Sequence, residues 1–170
     1  MSNGRHGLAL AVTIGAIVWT FLLVATPYAT SHGQFAGVGT VMAAATYATG
    51  GLVCHQRPER SFGLWGTRMP VCARCAGLYA TAPLGALLGM LPVGRRRATS
   101  LGRLRLVLLV TAVPTVATVC GEILGLVSPT NMVRAILAAP LGFAITWTVC
   151  RALSTERRRD DGMKPAHGAR

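Results

Sequence analysis

The chain has 170 residues, of which 52% are hydrophobic and 13% charged, with a formal net charge of +12. Soluble chains carry about 25% charged residues, so this composition speaks against a soluble domain. The charge does not point to nucleic acid either, because the basic residues cluster at the ends of apolar runs, in "GRRRATSLGRLR" and "STERRR", with no aromatic-interleaved basic face.

Five apolar runs follow in chain order: Leu8 to Thr26, Phe35 to Val53, Ala76 to Val93, Leu106 to Val127 and Met132 to Leu153. Each approaches the ~20 residues that an α-helix needs to cross the hydrocarbon core. Backbone groups in lipid must be satisfied within the segment, which selects helices over strands. The first run follows Arg5 like a signal peptide. It is too long for a signal h-region and no A-x-A site ends it, so a retained helix is expected. Gly85, Gly89 and the Ala43–Ala45 run let helices approach closely. Pro83, Pro114 and Pro140 fall inside runs, where neighbouring helices can satisfy the freed backbone. The expected fold is an all-α polytopic membrane bundle of about five helices. It forms one domain over 1–154, with a loose polar cytoplasmic tail over 155–170.

Lysines and arginines orient the bundle. With the N-terminus outside, eleven of the 17 basic residues fall inside. A multi-pass cell-membrane protein with its C-terminus in the cytoplasm is therefore expected. Helix parity adds a prediction that holds in either orientation. The end of the second run, the start of the third, the end of the fourth and the start of the fifth share one face. Cys54, His55, Cys72, Cys75, Glu122, Asn131 and Arg134 should converge there. Glu122, five residues from the end of its run, should lie roughly 7–8 Å below the rim at 1.5 Å per residue.

Between the second and third runs lies an insert rich in chemistry. "CARC" places Cys72 and Cys75 so that both sulfurs can face one centre. Cys54 and His55 end the preceding run, giving a Cys₃His set for zinc, or soft ligands for iron or copper. Adjacent Cys and His side chains diverge by about 100° on a helix of 3.6 residues per turn. Both can ligate one ion only if the backbone unwinds, which Gln56-Arg57-Pro58 permits. Glu122 is the substitute ligand, and a candidate general base on a metal-bound water. The same sulfurs suit a thiol–disulfide oxidoreductase. Cys75 lies in a first helical turn beside Arg74, where a thiolate is favoured. Cys54 would then be the resolving thiol, and a quinone or soluble protein the partner. A structural disulfide, Cys72–Cys75 or Cys54–Cys72, in a non-catalytic assembly factor is the third reading. Cys150 lies at the opposite face, and Cys120 reads as a small apolar residue.

A membrane carboxylate costs about 2.5–3.5 kcal/mol on insertion scales, so Glu122 should be functional or paired, with Arg134 the candidate partner and Thr118 a candidate hydrogen-bonding neighbour. Arg57, Arg60 and Arg74, with Asn131 and Arg134 across the site, can position an anionic substrate, a small molecule or a membrane lipid. One of the insert arginines should also brace Glu59. Phe62, Trp65 and Tyr79 read as interfacial anchors or packing, and His6 and His32 as loop residues.

"CHQRPERSF" followed by "PVCARCAGLY", and then "GLVSPTNMVRAILAAPLG", is similar to the signature of a family of small prokaryotic membrane proteins, domain of unknown function 2085. The resemblance covers about Gly50 to Gly142. It implies a multi-pass membrane protein whose distinctive residues include Cys54, His55, Gln56, Arg60, Cys72, Arg74, Cys75, Asn131 and Arg134, and it names no reaction. Two positions depart from the pattern. Thr118 stands where members often carry Asp, which leaves any role of that Asp to Glu122 alone or abolishes it. Thr81 stands where they carry Gly.

Overall fold

The computed structural model describes residues 2–33, 37–91 and 100–162. The element order is α1 (Ser2–His32), α2 (Val38–Val53), a 3₁₀ turn (Pro58–Arg60), β1 (Gly63–Leu64), β2 (Thr67–Arg68), α3 (Ala73–Met90), α4 (Leu101–Ile123) and α5 (Asn131–Gly162). The two strands form one small antiparallel hairpin, with Gly63 opposite Arg68 and Leu64 opposite Thr67. The molecule is an all-α membrane bundle. Among the described residues, Gly4–His32, Leu101–Ile123 and Asn131–Ser154 are long and apolar enough by themselves to cross a membrane. The second and third helices are shorter, at 16 and 18 residues. Apolar side chains face outward along the spans, as at Phe21, Leu109, Val113 and Ile136, which is the inverse of a soluble bundle.

Helix α3 packs most intimately against α5. A Cβ on Gly142 would lie 2.0 Å from the Leu78 carbonyl oxygen, and one on Gly77 only 2.1 Å from that of Ala135. Only glycine permits backbones this close, and lipid-embedded helices rely on such contacts because no hydrophobic drive separates helix from lipid. Hydroxyls then bond across the seam: Thr81 Oγ1 donates to the Ala139 carbonyl at 2.6 Å and Thr146 Oγ1 to that of Ala82 at 2.7 Å. Thr81 thus bonds the facing helix directly. Pro83 has no N–H for the Tyr79 carbonyl one turn earlier. Thr20 Oγ1 of α1 supplies the missing donor at 2.7 Å, and Trp19 meets the Tyr79 ring edge-to-face at 5.9 Å. Thr115 Oγ1 joins α4 to α5 through the Leu137 carbonyl at 3.0 Å.

Helix boundaries differ from the apolar runs in physically explicable ways. The fourth helix stops at Ile123, not near Val127, because Gly125 adopts φ +69°. The Leu126 N–H then reaches the Gly121 carbonyl at 2.8 Å, and the Gly125 N–H that of Glu122 at 3.2 Å, the paired bonds of a Schellman stop. Glu122 therefore sits in the last helical turn, not a turn and a half inside. The third helix begins at Ala73, with Cys72 as its N-cap. The tail expected to be loose from Thr155 continues as helix to Gly162, and residues 163–170 lie outside the described set. So do Phe35 at the start of the second run and 92–93 at the end of the third.

Candidate functional site

Sequence parity places the site, and the local backbone builds it. Helix α2 ends at Cys54, whose φ of −147° and ψ of 138° are extended. The chain unwinds there as Gln56-Arg57-Pro58 allows, and Gln56 takes a left-handed φ of 45°. That turn aims the Gln56 amide back into the protein, where Nε2 donates to the Tyr47 carbonyl at 2.8 Å and to the Pro70 carbonyl at 2.6 Å. Gly50 leaves the necessary room, since a Cβ there would lie 2.3 Å from the Pro70 oxygen. The hairpin turns through Trp65 and Gly66, both at positive φ (49° and 77°), the pattern of a type I′ turn. It is fastened to α1 by Thr67 Oγ1 donating to the Pro27 carbonyl at 3.0 Å and by Trp65 meeting the Tyr28 ring at 5.2 Å. The hairpin returns the chain to Cys72 at the mouth of α3.

The three sulfurs of Cys54, Cys72 and Cys75 lie within 4.8 Å of one another. Cys54 is buried, Cys72 and Cys75 are half-buried, and all are free thiols. Beneath them Leu23 and Val71 form an apolar floor. The Cys72 N–H donates to the Cys54 sulfur at 3.2 Å, a contact that favours thiolate. The Cys72 thiol is pulled down to about 5, first by the hydrogen bond from the Cys75 thiol and against the effect of burial. Thiolate–zinc bonds of about 2.3 Å put tetrahedral sulfurs about 3.8 Å apart, so this set fits one ion without rearrangement of the fold.

His55 and Glu122, expected as alternative fourth ligands, do not join the sulfur cluster. His55 turns outward with the unwound backbone, is exposed, and lines the cavity beside the sulfurs. The Glu122 carboxylate is instead held by arginines. Its Oε1 accepts from Arg74 Nη2 and from Arg134 Nε, the latter at 3.0 Å, and Arg60 Nη1 stands 3.4 Å from Oε2. The Glu122 side chain is only 7% exposed, against 37% for Arg60, 15% for Arg74 and 12% for Arg134. Arg134 also donates to Asn131 Oδ1 at 2.9 Å, and Asn131 Nδ2 donates to the Ser61 carbonyl at 3.2 Å, which ties α5 to the insert. The arginine brace thus closes on Glu122, and among the described residues no ion pair involves Glu59. Thr118 does not bond Glu122, because its hydroxyl donates to the Pro114 and Thr115 carbonyls of its own helix.

A cavity of about 550 Å³ opens between these two groups. Its lining includes the three cysteines together with Arg57, Arg60 and Arg74. Arg60 and Arg134 also line a second cavity of about 350 Å³ beside Glu122 and the loop after α4. The convergence of four helices on one face is therefore present. The bracing contacts of Gln56, Thr67 and Ser61 are not foreseen from the sequence, which marks Gln56 and Ser61 only as part of the Cys-His-Gln stretch and its continuation.

An all-helical membrane bundle carrying three thiols and an arginine wall at one face defines the class. The family described as predicted membrane protein (DUF2085) matches residues 54–148, and the chain belongs to that family. Two archaeal relatives are both described as uncharacterized. A Methanocaldococcus jannaschii protein, MJ1492, is 35% identical over 82 residues, covering 48% of this chain and 50% of its own length. A protein of Methanothermobacter thermautotrophicus is 34% identical over 94 residues, covering 55% of this chain and 80% of its own. The match thus spans about half the length of the first relative. No solved structure matches the chain.

Proposed function

We propose that this membrane protein holds a thiolate-bound metal ion, zinc, at its outer face through Cys54, Cys72 and Cys75, and acts there on an anionic ligand in the adjoining cavity. The observation that carries this reading is the mutual approach of three free sulfurs within 4.8 Å. Three protein ligands leave a tetrahedral ion one position for water or substrate, the arrangement of catalytic rather than closed structural sites. Such an ion supplies Lewis acidity and lowers the pKa of bound water. The chain's own part is to deliver thiolates, to exclude bulk water with Leu23 and Val71 below, and to orient charge through the arginines. Glu122 serves that last purpose as the positioning residue for Arg60, Arg74 and Arg134. Iron or copper would suit the same soft donors.

The free, closely spaced thiols also support a second reading, in which two of them form a disulfide while a quinone takes up the two electrons and two protons. Metal analysis separates the two. Protein purified from zinc-supplemented cells should carry one zinc per chain, and Cys72→Ser should remove it without lowering helix content. A metal-free protein whose thiols cycle between dithiol and disulfide on titration with a quinol would overturn the zinc reading.

A further inference from the structure

The arginine wall has more charge than its internal partner can balance. Arg60, Arg74 and Arg134 surround the single carboxylate of Glu122, leaving two positive charges in a largely buried cluster. One buried donor in it, Arg74 Nε, has no hydrogen-bond partner. Buried charge and unsatisfied buried donors are costly, and both costs disappear if a ligand brings two negative charges and several acceptor oxygens. A carboxylate brings one charge and two oxygens. The cavity that these arginines face also carries apolar surface from Val53, Leu78 and Ile123, so a ligand seated there meets guanidinium at one end and hydrocarbon at the other.

We propose that this wall binds the dianionic head of a phosphate monoester, with Arg60, Arg74 and Arg134 as its ligands and Glu122 as the internal counter-ion that spaces them. Guanidinium forks match phosphate oxygens in pairs, and the monoester carries nearly two charges at neutral pH. The proposal names the ligand class for the site described above and rests on that reading for the chemistry next to the ligand. Binding itself depends on the arginines and not on the sulfurs. A membrane lipid with a monoester head and a water-soluble phosphate share this chemistry, and the apolar lining favours the lipid.

The test uses the full chain in nanodiscs of phosphatidylcholine containing either phosphatidic acid, a monoester, or phosphatidylglycerol, a monoanionic diester. In parallel, detergent-solubilised protein is titrated with inorganic phosphate. Thermal midpoint and lipid retention are read out. The expected result is stabilisation by phosphatidic acid and not by phosphatidylglycerol. The effect should weaken below about pH 6, where the monoester loses its second charge. A response to inorganic phosphate alone would assign the site to a soluble ligand. Arg60→Gln, the most exposed of the three, leaves the Arg74–Glu122–Arg134 contacts in place. It should weaken binding about tenfold, the worth of one charge-assisted hydrogen bond. Glu122→Gln, if it folds, should tighten binding by freeing the forks. Cys72→Ser should change metal content and leave phosphate binding intact, so failure of the metal reading is separately visible. Equal response to the two anionic lipids, no response to any phosphate, or wild-type binding by Arg60→Gln would overturn the proposal.

Discussion

Replacing Gly142 with alanine tests the helix seam that holds the site together. The new methyl would start 2.0 Å from the Leu78 carbonyl oxygen and 2.6 Å from the Leu78 carbonyl carbon and Cα, all of them backbone. No side-chain rotation relieves this, so α3 and α5 must separate by about 1 Å, an overpacking that costs about 1–3 kcal/mol. Alanine's better helix propensity returns about 1 kcal/mol, leaving a net loss of about 0–2 kcal/mol. Separation also stretches the Thr81 and Thr146 bonds across the seam, so the upper half of that range is expected. Gly15 in α1 is the control, since nothing lies within 4 Å of a Cβ there. Gly15→Ala should be neutral or stabilising. Reversible unfolding in mixed micelles, followed by far-ultraviolet circular dichroism, measures both. If Gly142→Ala is as stable as Gly15→Ala, the close approach of α3 and α5 is wrong and the placement of Arg74 beside Arg134 at Glu122 fails with it.

Two further outcomes are expected. Thr20→Val leaves the Tyr79 carbonyl, already without a donor because of Pro83, unsatisfied within the bundle, and should cost about 1 kcal/mol. Thr20→Ser should retain most of the stability, and Pro83→Ala should relieve the valine variant; a Thr20→Ser protein as destabilised as Thr20→Val would count against the assigned bond. In chelator-treated protein the lowered Cys72 thiol makes one thiolate present at pH 7 that protonates near pH 5. A thiol whose folded pKa is depressed lends stability that is fully present above its unfolded value and lost as pH falls through the folded one. Alkylation rate and ultraviolet thiolate absorbance should fall together near pH 5 and be absent in Cys72→Ser, whereas an ordinary thiol titration near 8 to 9 would contradict the geometry of the sulfur pocket.

The apolar runs carry most of the architecture because lipid fixes both length and helicity, and parity then places Cys54, Cys72, Cys75, Glu122 and Arg134 on one face. Helix ends are less legible. The fourth run stays apolar through Leu126 and Val127, and only the left-handed turn at Gly125 reveals that the helix has already stopped. Partner choice is less legible still. Sequence marks Glu122 as a carboxylate that needs company, yet sulfur-bound metal and guanidinium are both plausible company on chemistry alone. The decision comes from the packing of α3 against α5, where the glycine approaches at Gly77 and Gly142 bring Arg74 and Arg134 to the same oxygen. Likewise Thr118 has the spacing to reach Glu122, but a threonine on a helix can also turn its hydroxyl onto its own backbone carbonyl, and here it does.

The single amide of Gln56 spans from the last turns of α2 to the carbonyl just before the C-x-x-C. The two chain segments that deliver sulfur are thereby fixed relative to each other before any ion arrives. Entropy that a flexible chelator loses on capture is here lost on folding. Under the zinc reading proposed above, the receptor is preformed, so capture should be limited by how fast the ion sheds water and not by loop closure. Under the same reading, affinity would be governed from Gln56, whose amide bonds backbone carbonyls and not sulfur.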